Sequence, residues 1–256
     1  ASRSFSITVQ NDAPSNHFNT VLYTGNNSAQ SITGVGFQSD FTWIKARDNG
    51  VNNHALTDSI RGTGSGNGLS SNTTGAEGEY SAAYGYLSAF GTDGFTVQAG
   101  STSPNFVNSS SANYVAWNFK AGGAAVANTD GTISSQVSAN NTLGFSISTW
   151  NKTTNASTAS TFGHGLDAAP EMIIIKRTNG AEDWYVYEAS MGAGARISLN
   201  TSAAKVTGTS VWDNTVPTST LFTIKGVNAG EHVAYCFTSK PGFSKVGSYT
   251  GNGSAS

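Results

Sequence analysis

The chain has 256 residues and a formal net charge of -2, and only 11% of its residues are charged, against roughly 25% in ordinary globular proteins. Its Lys and Arg residues are scattered singly, so there is no basic stripe of the kind that binds nucleic acid or an anionic membrane surface. No run of 18 or more apolar residues is present, and no membrane-spanning helix is predicted.

Residues 1–17 read as an N-terminal strand or linker. Ser4-Phe-Ser-Ile-Thr-Val9 alternates with period two, and Asn11-Asp-Ala-Pro14 breaks it. A first β repeat is expected over 18–120, with strands near 18–24, 41–47, 54–60, 68–72, 94–98 and 113–120. Gly62-Thr-Gly-Ser-Gly-Asn-Gly68 is a loop and not a phosphate cradle, because no Lys-Ser/Thr ending follows it and no helix opens after it. Ala76 to Ala89 is the one helix candidate, weakened by its two glycines. Residues 121–143 read as a flexible Gly/Ala/Asn/Ser-rich linker with a short strand at 132–137. A second repeat is expected over 144–242, with strands near 144–150, 171–178, 183–188, 195–200, 220–225 and 231–238. Within it Met172-Ile-Ile-Ile175 suits a strand covered on both faces. Residues 243–256 open a third repeat, whose strand Phe243 to Tyr249 would close the second repeat or dock on a neighbouring chain.

The repeats are carried by recurring words. Phe18-Asn-Thr-Val-Leu-Tyr-Thr-Gly-Asn26 is answered by Phe243-Ser-Lys-Val-Gly-Ser-Tyr-Thr-Gly-Asn252, with a degenerate copy at Phe145-Ser-Ile-Ser-Thr-Trp-Asn-Lys-Thr153. Leu69-Ser-Ser-Asn-Thr-Thr74 is echoed by Ile197-Ser-Leu-Asn-Thr-Ser202, and Tyr114-Val-Ala-Trp-Asn-Phe119 by His232-Val-Ala-Tyr-Cys-Phe237. Copies of roughly 100 residues are ordinary domain size. The fold expected is all-β: two tandem β-sandwich domains, jelly-roll-like, with turns every 8–12 residues.

The chemistry offers no catalytic motif and implies no cofactor. A single cysteine, Cys236, sits in a strand-like run and reads as a buried, inert thiol. His17, His54, His164 and His232 show no zinc spacing. Asp93 and Asp130 are lone turn carboxylates, so a calcium site would have to be assembled from separate loops. Glu77 and Glu79 are the nearest approach to a paired-carboxylate centre, and a solvated acidic loop is the blander reading. Trp43 and Trp117 read as core. Trp150 ends a strand before polar residues, and Trp212 lies in a polar loop. With the Tyr80, Tyr84 and Tyr86 group they are the candidate ligand-binding residues, aromatic platforms beside Asn and Asp that could stack on a sugar face.

Phe18 to Asn26, Ile32-Thr-Gly-Val-Gly-Phe-Gln38 and Phe41-Thr-Trp-Ile-Lys45, followed by Asp58-Ser-Ile-Arg-Gly62, Leu69 to Thr74, Asp93-Gly-Phe-Thr96 and Tyr114-Val-Ala-Trp117, resemble an uncharacterised tandem-repeat β domain in virion proteins of marine bacteriophages, including cyanophages. The likeness runs through nearly everything from Phe18 onward. The second copy departs from it where Trp150-Asn-Lys replaces Tyr-Thr-Gly and Met191-Gly192 replaces the Arg-Gly word. The resemblance implies a virion structural context at the particle surface: a tail-fibre, receptor-binding or head-decoration module acting by multivalent attachment. Its expected partners are itself, as a homo-oligomer such as a trimer, other virion proteins, and a host-surface glycan. No catalytic residue carries over. The alternatives are a carbohydrate-binding lectin and a phage-borne polysaccharide depolymerase.

Overall fold

The computed structural model describes residues 13–48, 50, 52–79, 82–102, 105–208 and 211–253; the expected strand at Ser4–Val9 lies outside them. Among the described residues the first half contributes seven strands: β1 (Phe18–Thr24), β2 (Gln30–Thr33), β3 (Phe41–Ala46), β4 (Ala55–Asp58), β5 (Tyr86–Gly91), β6 (Gly94–Gln98) and β7 (Asn113–Phe119). Ten follow: β8 (Val126–Asn128), β9 (Ser135–Asn140), β10 (Phe145–Lys152), β11 (Ser160–Gly163), β12 (Met172–Arg177), β13 (Tyr185–Glu188), β14 (Ala195–Ser198), β15 (Val206–Thr207), β16 (Leu221–Ile224) and β17 (Gly230–Phe237). Among the described residues the only helical turns are three short 3-10 segments. The chain is all-β.

The sheets show the same wiring twice. One four-stranded sheet runs β1-β7-β3-β4, and the order β10-β17-β12-β13 recurs inside an eight-stranded sheet. The registers agree as well: Phe18 faces Phe119 as Phe145 faces Phe237, and Phe41 faces Asp58 as Met172 faces Glu188. Tyr23 and Tyr114 stack across β1 and β7 with centroids 5.0 Å apart, and Trp150 and His232 stack across β10 and β17 at 5.5 Å. Each large sheet is accompanied by a smaller one, β2-β6-β5 in the first half and β11-β16 in the second.

Three cores result. The first, around Val21, Ile32, Ile44, Phe95 and Tyr114, belongs to the first half. The second, around Trp150, Phe162, Ile173, Trp212 and Phe222, belongs to the second. The third draws on both halves: Phe41, Leu56 and Leu69 from one, and Phe145, Ile147, Ile174, Trp184, Val233 and Tyr235 from the other. Alternation along a strand makes this possible. On β17, Ala234 and Cys236 enter the second core, while Val233 and Tyr235 enter the third. Met172–Ile175 divides likewise, with Ile173 and Ile175 on one face and Ile174 on the other. Strands buried on both faces read as continuous apolar runs, as these do.

Several expectations change. Residues 121–143 carry β8 and β9, and β9 pairs with β10 from Asn140↔Phe145 to Gln136↔Thr149, so this stretch widens the second sheet where a flexible linker was expected. Among the described residues of Ala76–Ala89 the only helical element is a 3-10 turn at Ala82–Tyr84. Gly78 and Gly85 both take φ of +79°, a left-handed conformation that a helix interior does not admit, and β5 follows. The 68–72 strand reduces to one bridge, Leu56↔Leu69. The stretch Phe243–Tyr249 forms no strand with the sheets. A single bridge, Lys240↔Ser244, holds its start, and Phe243 packs against the third core with its ring 5.5 Å from that of His17.

Candidate functional site

The third core closes over a buried polar network at its edge. Asp58 ends β4 fully buried, and its Oδ1 accepts the backbone N–H groups of Ile60 (3.1 Å) and Arg61 (3.0 Å), the local turn that swings Arg61 back over it. Arg61 Nε then donates to Asp58 Oδ2 at 2.6 Å. Its Nη1 donates to Asn67 O and to Glu77 Oε1, each at 2.7 Å, and its Nη2 to the hydroxyl of Tyr235 at 3.2 Å. The Tyr235 hydroxyl in turn donates to Asp58 Oδ2 at 2.8 Å. Tyr235 stands on β17, so the network joins the two halves. Burial alone would lower the Arg61 pKa; the charges of Asp58, Tyr235 and Glu77 outweigh it and hold the guanidinium above its ordinary value. Burial pushes the Tyr235 hydroxyl well up. Further hydrogen bonds cross the same seam: Trp184 Nε1 to Ser70 O at 2.8 Å, Lys176 Nζ to Thr74 O at 2.9 Å, and Glu77 N to Thr178 O at 2.8 Å.

Beside this network lies a cleft of about 390 Å³, within the size range of small-molecule sites, roughly 300–1,000 Å³. Ile60, Arg61 and Glu77 of the first half form one wall. The other wall is one end of four neighbouring strands. It uses Ser134 and Gln136 at the start of β9, Thr149 to Asn151 near the end of β10, Thr178 just after β12, and Glu231 and His232 at the start of β17. Period two decides which side chains face in. Thr149 and Glu231 share the face of Ile147, Val233 and Tyr235, which looks toward the first half. Trp150 and His232 lie on the opposite face, where Trp150 joins the second core and His232 stacks on it. Thr178 is 3% exposed, and its hydroxyl has no partner among the described residues. The side-chain polar groups of Ser134, Gln136, Thr149, Asn151 and Glu231 are likewise uncommitted there.

The expected ligand-binding aromatics are not gathered here. Trp212 is 1% exposed and packs edge-on to Tyr187 at 5.8 Å. The polar turn that made it look exposed folds it inward, with Asp213 and Asn214 both at positive φ, a conformation these two types accept more readily than most. Trp150 is 5% exposed and lies against Phe162 (4.5 Å) and Phe222 (5.5 Å). Neither indole presents an open stacking face, which corrects that expectation. Tyr84 stacks on Phe106 at 5.0 Å, and Tyr86 is half-buried at the start of β5; both lie in the first half, away from the two tryptophans. Tyr80 lies outside the described residues. Glu77 and Glu79 are separated in role, Glu77 bound to Arg61 and Glu79 accepting from the Thr73 hydroxyl at 2.7 Å. Cys236 is fully buried, and burial raises its thiol to about 12. Among the described residues no three His, Cys, Asp or Glu side chains gather as a metal site requires.

Fold and cleft together define an all-β protein of antiparallel sheets whose halves share their wiring and enclose a polar cleft. The chain belongs to the family described as Domain of unknown function (DUF7483), whose model matches residues 13–256 and so takes in both halves as one unit. No curated protein and no solved structure matches it.

Proposed function

We propose that this chain is a bacteriophage virion surface module, a tail-fibre, receptor-binding or head-decoration part that attaches the particle to its host and does no chemistry. Each half is read as a jelly-roll-like β-sandwich, and the seam between them as the working surface. The observation that carries the reading is the cleft itself: polar side chains uncommitted among the described residues, set beside a core that both halves share. The surface is poor in charge, and the repeated words resemble those of marine phage virion proteins. Each contact would be weak. Self-association, as a trimer or with other virion proteins, would multiply it through effective concentration. The test is the solution mass by light scattering together with adsorption of the chain to bacterial cells. A trimer or larger assembly that adsorbs supports the reading; a monomer that adsorbs to no cell overturns it.

A second reading is a polysaccharide depolymerase, favoured by the two carboxylates, Glu77 and Glu231, that line the same cleft. Release of reducing ends from a capsular glycan, abolished in Glu77→Gln, would establish it; no release would remove it.

A further inference from the structure

We propose that the cleft between the halves binds a neutral, hydroxyl-rich saccharide and rejects anionic glycans; this rests on the attachment reading. Charge is the first reason. The charged residues lining the cleft are Arg61, Glu77 and Glu231, two carboxylates against one guanidinium. That guanidinium is already held between Asp58 at 2.6 Å and Glu77 at 2.7 Å. A sulfate or uronate entering here would meet Glu231, which has no cationic partner among the described residues, and a guanidinium already shared by two carboxylates, a net negative lining that discriminates by repulsion.

Donor and acceptor chemistry is the second reason. Sugar hydroxyls both give and accept hydrogen bonds, and the cleft offers partners of both kinds. Gln136 and Asn151 carry an amide donor and acceptor each, Thr149 and Thr178 a hydroxyl each, and Glu231 an acceptor. Arg61 has five N–H donors, four of which are used by Asp58, Asn67, Glu77 and Tyr235, so one is left for a ligand. Thr178 is the sharpest of these groups. It is 3% exposed, its backbone N–H and C=O are both committed, to Glu231 O and Glu77 N at 2.8 Å each, and its hydroxyl alone has no partner among the described residues. A site built to hydrogen-bond a substrate hydroxyl discriminates strongly against analogues that lack it. Among the described residues the two aromatic rings at the cleft, Trp150 and His232, are buried and stacked on each other, so recognition by these residues runs through hydrogen bonds.

The experiment presents the full chain to immobilised neutral, amino-bearing, sulfated and uronate glycans at neutral pH, then titrates the best binder against wild type and Thr178→Val. The isosteric variant keeps the shape, and its unfolding midpoint is expected to stay at the wild-type value because no protein partner is lost. Neutral glycans are expected to bind, with affinity falling about tenfold in the variant. Preferential binding of sulfated or uronate glycans overturns the proposal, as does unchanged affinity in Thr178→Val. Cell adsorption by a chain that binds no glycan also overturns it, while leaving the attachment reading standing. Absence of both glycan binding and adsorption removes the two together.

Discussion

Replacing Arg61 by leucine should strand a buried carboxylate and loosen the seam. The change removes the Nε–Asp58 contact at 2.6 Å, the Nη1 contacts to Glu77 and Asn67 at 2.7 Å, and the Nη2 contact to Tyr235 at 3.2 Å. Asp58 stays fully buried. Removing one partner of a buried ion pair costs roughly 3–5 kcal/mol. Asp58 retains the Ile60 and position-61 backbone N–H groups and the Tyr235 hydroxyl, which puts the expected loss at the low end, about 3 kcal/mol. For a chain of this size that is a fall in melting temperature of roughly 6–12 °C. Urea unfolding measures it as a lower midpoint at unchanged slope. Residues in one network do not act additively. Adding Asp58→Asn to Arg61→Leu should cost less than the sum of the two single changes by about 1–3 kcal/mol. An Arg61→Leu protein within about 1 kcal/mol of wild type, or a strictly additive double variant, would show that the network does not hold the halves together.

Acid should weaken the fold through its buried histidines. Burial holds His232 at about 4 in the folded protein, below its unfolded value near 6.5. Its contribution is therefore complete above pH 6.5 and is lost as pH falls toward 4, up to roughly 3 kcal/mol. Unfolding midpoints between pH 7 and 4.5 should track this, and His232→Phe should flatten the slope; an equal slope in the variant refutes the assignment. Cys236 should resist thiol reagents at pH 8 until the chain unfolds, because it is fully buried with its thiol raised to about 12; prompt labelling of the native protein would contradict its placement. Deleting residues 243–256 should lower stability by about 1–2 kcal/mol, the share owed to half-burying Phe243 against the third core. Deleting 250–256 alone should be silent in the same unfolding assay.

Several strands of six or more residues were legible in the sequence. Phe18–Thr24 and Phe41–Ala46 lie where the sequence places strands, and Met172–Arg177 where its continuous apolar run places one covered on both faces. Tyr86–Gly91 was missed because it overlaps the helix candidate; other missed strands are short and polar. Gln30–Thr33, Val126–Asn128 and Ser160–Gly163 span three or four residues, too few to display a period, and their neighbours in the sheet decide their conformation. Trp212 was misjudged because a Val-Trp-Asp-Asn loop is polar in composition, while its left-handed turn is a matter of conformation. The cleft was beyond reach for a different reason. Arg61 and Glu77 come from one half and Gln136, Thr178 and Glu231 from the other. Their convergence depends on how two sheets face each other, which no local pattern encodes. The repeated words did point to the shared wiring, though not to the apolar surface between the halves.

That shared surface sets the unit in which this protein can change hands. A gene fragment encoding only the first half would leave Phe41, Leu56, Leu69 and Phe119 facing water, an apolar patch of the kind that drives aggregation. The second half alone would expose Ile147, Ile174, Trp184 and Val233 in the same way. Recombination that separates the halves is expected to yield two aggregation-prone products, so the unit expected to travel intact is both halves together.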